Sequence, residues 1–424
     1  MNLDIEQLPS RCDVLVVGAG PAGSAAARML ARGGRSVVLV DARAFPRDKV
    51  CGDGLAPDAH RALDRLGMLE AVLAEARPSP GLGVVAPRGG RIDVPGNLAV
   101  LARKRFDAIL CRGAVEAGAL MFAPLRFVAP LRADGAAGAV VGACLQQGGA
   151  VRRIDTTWLL LASGAQPQAL IATGMCERRV PSGIALRGYI RNRAMASRIT
   201  SMEVVWHKRF APGYGWIFPC GDDVFNIGVG VICGEERPQR GSARAKPDLN
   251  LRDAFSAFKD LYAPAAELLA GGTWQAEPGR ELTGAPLRCS LAGARFEAPG
   301  VLVIGEAAGA TYAVTGEGIG KAMETAIHAA EAILVGAAGD AGAEADAAVR
   351  ADYAARLLAL QPRFALYEQA QRATARPWLI DLLVWSARRS PRRMDRIAGL
   401  LEETHLPTDA ATLRGVLRRL FDLR

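Results

Sequence analysis

The apolar run Asp13–Val17 leads directly into Gly18-Ala19-Gly20-Pro21-Ala22-Gly23. A helix of small residues follows from Ser24 to Arg32, Gly33-Gly34 stop it, and a second apolar run from Ser36 to Val40 ends in Asp41. Three glycines at this spacing are weak evidence by themselves. Here they have a strand before, a helix after and an acid about 20 residues further on, the context of a dinucleotide-binding turn. Gly18 makes the tight turn, Gly20 lets backbone reach a pyrophosphate, and Gly23 lets the helix pack on the strand. The helix N-terminus offers partial positive charge to phosphates, and Asp41 can accept hydrogen bonds from a ribose diol. This start commits the chain to an α/β dinucleotide-binding unit, without deciding between NAD and FAD.

The 424 residues are half hydrophobic and 22% charged, enough for more than one domain with a substantial core. The net charge of +9 is uneven: from Arg350 onward, fourteen Arg and no Lys face eight acidic residues. No recognised module or aromatic-interleaved basic stretch accompanies that excess, so nucleic acid is not an expected partner. Eight scattered Cys without a CxxC pair fit a reducing compartment and small core thiols. The four His (His60, His207, His328, His405) form no metal-ligand pattern. The polar N-terminus lacks a secretory signal, and no apolar stretch reaches the ~18 residues of a membrane span. The expected location is the cytosol, or the cytosolic face of a membrane.

Further along, Pro78 to Gly96 reads as extended, and a helix is expected from near Arg105 through Leu110, Val115 and Ala119. Pro130 to Gly149 reads as two strands, and Trp158–Ala162 as a short buried strand ending at Ser163-Gly164. From Ser182 to Ile232 the alternation is that of a separate sheet, and Arg244 to Ala270 reads as helix. Val301–Ile304 is another buried strand, followed by Gly305-Glu306-Ala307-Ala308-Gly309 and a long helix from Gly318. Gly336 to Ala348 reads as a surface connection, and helices broken at Pro362, Pro377, Pro391 and Pro407 fill the rest.

Three separated motifs together resemble the flavoprotein hydroxylase superfamily and, within it, the geranylgeranyl reductase family. They are the glycine turn ending in Asp41, the segment Arg103-x-x-Phe106-Asp107, and the strand from Val301 with Gly305-Glu306 and then Gly316-Glu317-Gly318-Ile319. The resemblance implies bound FAD, with Arg103 along the cofactor, Glu306 on its ribityl chain, and the turn of Gly316, Gly318 and Ile319 facing the isoalloxazine. Backbone N–H groups there would stabilise charge at the flavin N1/O2 edge. Lys49-Val50-Cys51-Gly52-Asp53-Gly54-Leu55 is similar to the reductases' Cys-Gly signature, which implies Cys51 and Gly52 near the flavin and makes Cys51 the candidate catalytic residue. A buried structural thiol is the other reading of Cys51. Gly213-Tyr214-Gly215-Trp216-Ile217-Phe218-Pro219 resembles their substrate motif, and strand period two puts Tyr214, Trp216 and Phe218 on one face. Such an aromatic wall suits a long apolar substrate, although an ordinary sheet core has the same pattern.

Two departures stand out. Ser163 replaces the family's usual Asp, so the electron donor, NAD(P)H or a reduced partner, stays open; Ala313 replaces the Pro usual before the second glycine turn. Two reaction classes also stay open. The reductase reading has reduced flavin passing hydride to a carbon–carbon double bond of an isoprenoid chain, a geranylgeranyl group or a polyprenyl quinone. The alternative is a monooxygenase or halogenase-like enzyme acting on a small natural product. In the tail, Trp378, Leu379, Leu382, Leu383 and Trp385 beside Arg388, Arg389, Arg392 and Arg393 suit either an interfacial helix or a cover over the substrate cavity.

The expected architecture is α/β (α+β): a glutathione-reductase-like FAD-binding Rossmann fold with an inserted antiparallel-sheet substrate domain and a helical C-terminal section. The FAD-binding domain would comprise residues 1–76, 101–175 and 281–336, the substrate domain 77–100 and 176–280, and the helical section 337–424.

Overall fold

The computed structural model describes residues 3–133, 135, 138–232, 250–336 and 342–404. Arg11–Val17 and Val37–Val40 are apolar almost without interruption, as parallel strands covered on both faces must be. They pair in parallel, and the sheet continues through Ala150–Leu161 and Val301–Val303 on one side and Leu120–Phe122 on the other. Glu297–Ala298 adds an antiparallel edge, and the strands Arg126–Arg132 and Val140–Gln147 fold back antiparallel from Ala150–Leu161. The helix Pro21–Arg32 packs against this sheet through Ala22, Ala25, Ala26 and Leu30, all within one core with the helices Arg103–Glu116 and Ile319–Gly336.

The second sheet is antiparallel but for one junction. Its order is Thr273–Trp274, Gly183–Arg191, Val224–Ile232, Gly213–Gly221, Met202–Val205, Arg77–Val85, Arg91–Val100 and Gly54–Leu55, with Thr283–Leu287 also on Gly183–Arg191. Only Met202–Val205 against Arg77–Val85 is parallel. Alternation divides its side chains between two cores. Ile217 and Ile227 pack with Phe255 and Phe258 of the helix Leu251–Leu261. Trp216 and Phe218 face the other way, into a core shared with Val384 and Ala387. The helices Pro377–Ala387 and Pro391–Leu401 therefore cover the same face of this sheet, packing on Arg91–Val100 so closely that a Cβ on Gly96 would sit 2.7 Å from Leu401.

The chain is thus a mixed α/β protein with two sheets and a helical C-terminus. Several expectations need correction. Pro362 breaks nothing: it lies inside the continuous helix Ala343–Thr374. Pro377 and Pro391 occupy first helical positions, where a missing N–H costs no hydrogen bond. The supposed surface connection at Gly336–Ala348 is helical from Ala343, while residues 337–341 lie outside the described residues. The helix expected near Arg105 begins at Arg103. The short strand at Trp158 is the end of a twelve-residue strand whose first half is polar on its outer face. Of the helix expected from Arg244, the part before Asn250 lies outside the described residues, as do His405 and Pro407.

Candidate functional site

Gly18 has φ +107, and a Cβ there would lie 2.3 Å from the Ala162 carbonyl oxygen; one on Gly23 would lie 1.7 Å from that of Gly18. Strand, turn and helix therefore meet backbone to backbone, as the sequence predicted. At Gly20 the nearest atoms to a hypothetical Cβ are guanidinium nitrogens, Arg47 at 3.7 Å and Arg103 at 3.8 Å. The backbone at the N-terminus of Pro21–Arg32 is thus bare and overlooked by two cations. Both are held by buried carboxylates. Asp107, fully buried, accepts from Arg103 Nε at 2.7 Å and Nη2 at 3.0 Å and from Arg47 Nη1 at 2.9 Å. Asp41 Oδ2 accepts from Arg47 Nη2 at 3.0 Å and from the Ala19 amide at 3.1 Å. This cradle fits the pyrophosphate and adjacent ribose of a dinucleotide.

The second glycine turn lies at the end of Val301–Val303. Gly305 has φ +66, and a Cβ on it would strike Ala22 at 2.6 Å, so this turn packs onto the first. Glu306 Oε2 receives Lys49 Nζ at 3.0 Å, close to Gly164. Ser163, which stands where the family usually has Asp, donates to the Gln166 carbonyl at 3.1 Å. Gly316 has φ +71, and its chain lies so near the aromatic strand that a Cβ would come within 2.6 Å of the Tyr214 hydroxyl. Tyr214 donates to the Thr315 carbonyl at 2.6 Å. Gly318, likewise, stands against Thr311, and Ile319 opens the helix Ile319–Gly336.

Tyr214, Trp216 and Phe218 share a face, with successive ring centroids 6.2 and 6.5 Å apart, and Trp206 extends the row 5.5 Å beyond Tyr214. Gly52 lies directly on this wall: its missing side chain would meet Phe218 at 3.0 Å and the Trp216 indole nitrogen at 3.7 Å. Cys51 is half-buried and lies close to the Arg103 side chain. The structure thus joins Cys51 to Arg103, Gly52 to Trp216 and Phe218, and Gly316 to Tyr214. Glu306 forms its ion pair with Lys49, apart from the Arg103–Asp107 pair.

Two networks of polar residues were not read as such from the sequence, although Asp53 and Glu317 lie inside its motifs. Under the Cys51–Gly52 loop, fully buried Asp53 accepts from Tyr189 Oη at 2.5 Å, Asn226 Nδ2 at 2.7 Å and the Arg103 amide at 3.2 Å. Burial pushes its carboxyl up to about 6, against the opposing pull of Arg187, Tyr189 and Asn226. Beside the second turn, Lys321 is almost fully buried and pairs with Glu324 at 2.8 Å, Glu403 at 2.9 Å and Asp58 at 3.6 Å. Burial alone would lower Lys321, but these acids outweigh it and raise it. Glu317, within the glycine turn, is pushed up to about 8 by burial and by the negative charges of Asp58 and Glu403. Spacing carries no signal for either group, because their members come from distant parts of the chain. Among the described residues no cluster of potential ligands could hold a metal ion.

A pyrophosphate cradle alone would suit either dinucleotide. A second turn packed onto the first and reaching an aromatic strand is what a flavin needs besides, and this pairing defines an FAD-dependent oxidoreductase. Residues 11–187 match the family described as FAD binding domain, and residues 185–250 the geranylgeranyl reductase catalytic domain. A menaquinone reductase of Mycolicibacterium smegmatis is 35% identical over 374 residues, 84% of this chain and 86% of that protein. A digeranylgeranylglycerophospholipid reductase of Methanoculleus marisnigri is 29% identical over 75% of each chain. Among solved structures, a geranylgeranyl bacteriochlorophyll reductase-like protein of Thermoplasma acidophilum superposes with a TM-score of 0.73 at 19% identity, covering 96% of this chain and 95% of its own. A flavin-dependent brominase reaches 0.72 at 20% identity, over 97% and 98%. At such identities these two likenesses speak to the fold alone. The chain belongs to the geranylgeranyl reductase family.

Proposed function

We propose that this protein reduces carbon–carbon double bonds of an isoprenoid chain, such as that of a polyprenyl quinone or a geranylgeranyl lipid. One observation carries the reading: a row of aromatic rings, Tyr214, Trp216 and Phe218, is hydrogen-bonded through Tyr214 to the second glycine turn. Bound FAD would supply the hydride. Gly18, Gly20, Gly23, Asp41 and Arg103 would hold its adenosine diphosphate half; Gly305 and Glu306 would hold the ribityl chain, and Gly316, Gly318 and Ile319 the ring. The aromatic row would align an apolar chain and exclude water, which an unactivated alkene requires for hydride attack. Cys51 and Gly52 would line the reacting edge. We retain the glutathione-reductase-like description and the division into FAD-binding, substrate and helical segments as parts of this reading.

The halogenase form of the alternative asks for an available lysine, and Lys49 is tied to Glu306; the monooxygenase form asks for none. Anaerobic reduction of the bound flavin, followed by mixing with a menaquinone-type lipid, tests the choice. Rapid reoxidation that yields a saturated bond supports the reductase. Indifference to the lipid, with oxygen-dependent hydroxylation or halogenation of an added aromatic, overturns it. The same mixing with NADH, NADPH or a reduced ferredoxin identifies the electron donor.

We further propose peripheral contact with an anionic membrane. Among the described residues no helix is long and apolar enough to cross one. On Pro377–Ala387, Val384 is buried on the sheet while Trp378, Leu383 and Trp385 are 46, 40 and 49% exposed, beside exposed Arg388, Arg389 and Arg392. Such a face suits interfacial binding. Flotation with vesicles containing anionic lipid should fall for W378A/W385A, and undiminished flotation would sink the idea.

A further inference from the structure

Asp53 lies two residues beyond Cys51, has left-handed backbone (φ +69) and is wholly buried. It stands where the two sheets meet. Its Oδ1 accepts from the Arg103 amide, at the start of a helix packed on the first sheet. Its Oδ2 accepts from Tyr189 and Asn226, on neighbouring strands of the second. Three donors converge on one carboxyl group.

Asn226 is the decisive neighbour. Its Oδ1 accepts from the Trp216 indole at 2.9 Å, and its Nδ2 donates both to Asp53 and to the Cys51 carbonyl at 2.7 Å. An indole N–H can only donate, while a carbonyl and a carboxylate can only accept, so the amide has one satisfying orientation. That orientation ties the Cys51 backbone to the Trp216 ring. A proton on Asp53 is donated to Tyr189 and weakens the acceptor that Asn226 faces, whereas an amide in its place turns a donor toward Asn226 or the Arg103 amide. Tyr189 can rotate its hydroxyl away. Asn226 cannot turn without abandoning both Trp216 and Cys51.

We propose that Asp53, in its ionised form, is a positioning residue that fixes the Cys51–Gly52 loop against Trp216 by orienting Asn226. The inference rests on the reading of that loop as lining the flavin edge. The groups facing Asp53 are Arg187 and Tyr189 on Gly183–Arg191, Asn226 on Val224–Ile232, Cys220 on Gly213–Gly221, and Arg103 from its helix. Arg187 is itself committed to Asp48 at 2.6 Å and the Lys49 carbonyl at 3.1 Å, and it stacks 4.2 Å over the Tyr189 ring. It therefore favours ionised Asp53 through space while bracing the same loop from its other end. Burial opposes ionisation and pushes the carboxyl up to about 6, so the loop would loosen as pH falls through that value.

The test uses the FAD-loaded full-length chain with D53N, N226A and Y189F variants. Labelling of Cys51 by iodoacetamide at pH 7.5, mapped by peptide mass spectrometry, reads the loop without any substrate. Reoxidation of the reduced flavin by a polyprenyl naphthoquinone, followed from pH 5 to 8, reads the site. D53N and N226A should retain FAD, label about 5-fold faster and reoxidise about 10-fold more slowly. Wild type should slow below pH 6, and D53N should lose that acid limb. Y189F, which removes one donor from the ionised carboxyl, should move the limb to higher pH. Wild-type labelling in D53N and N226A, or a limb unmoved in Y189F, would overturn the proposal. If D53N does not fold, Y189F and N226A still decide it. If the lipid fails to reoxidise even the wild type, the isoprenoid reading falls, while the labelling comparison continues to judge Asp53.

Discussion

The phenol of Tyr214 donates to the carbonyl of Thr315 at 2.6 Å, and this one bond joins the aromatic strand to the second glycine turn. It aligns the wall assigned to substrate with the loop assigned to the flavin ring. For Y214F we expect FAD to be retained and lipid-dependent reoxidation to slow about 2- to 10-fold, the range of one net hydrogen bond. Stopped-flow absorbance of the reduced flavin checks this. A larger loss accompanied by missing FAD would mean that Tyr214 holds the turn itself.

Gly316 is constrained twice, by φ +71 and by the Tyr214 hydroxyl 2.6 Å from any added Cβ. G316A should cost at least ~1–2 kcal/mol in backbone strain alone. The ratio of flavin to protein absorbance should fall in the purified variant, and excess FAD should only partly restore it.

At Gly23 the obstruction is backbone, the Gly18 oxygen at 1.7 Å, and neither partner can rotate away. G23A should lower stability by ~3 kcal/mol or more, as overpacking at its severe end does. Thermal unfolding reads this, and an unchanged Tm would refute the close helix-to-strand contact.

Glu317 is held about 8, well above the ordinary 4.5 of its carboxyl. The folded chain therefore binds a proton there that the unfolded chain releases through the interval between those values. Its contribution to stability is fully present below 4.5 and is lost as pH rises through 8. Relative to E317Q, the FAD-free wild type should become progressively less stable from pH 5 to 8.5. A constant Tm difference over that range would contradict the assigned direction.

What could be read beforehand was whatever depends on local spacing. The glycine turn, Asp41, Arg103 and the alternation of Tyr214, Trp216 and Phe218 are each contained within a few residues. Pro362 misled because a proline normally removes a hydrogen bond within a helix, yet Ala343–Thr374 continues through it, held by buried Tyr353, Leu357, Phe364 and Tyr367 on either side. The strand Ala150–Leu161 was foreshortened because Arg152, Arg153 and Asp155 disguise its first half. Asp53 stood inside a recognised motif, but its bond to Asn226 spans 173 positions. Glu403 and Lys321 are brought together only because the C-terminal helices return over the second sheet. Pattern shows which face a side chain takes, not which distant partner awaits it.

The parallel sheet takes one inner strand, Arg11–Val17, from the beginning of the chain and another strand, Val301–Val303, from almost 300 residues later. A ribosome moving at ~5–20 residues per second takes roughly 15–60 s to travel between them. From the synthesis of Leu161 until Val301 emerges, Leu159–Leu161 lacks its partner opposite Arg11–Val17, and Glu306 and Gly316 have not been made. The nascent protein must keep an apolar sheet edge from other chains before it can receive its cofactor. Loading with FAD is thus a late event in the protein's life, and its supply would influence how many chains reach the folded state.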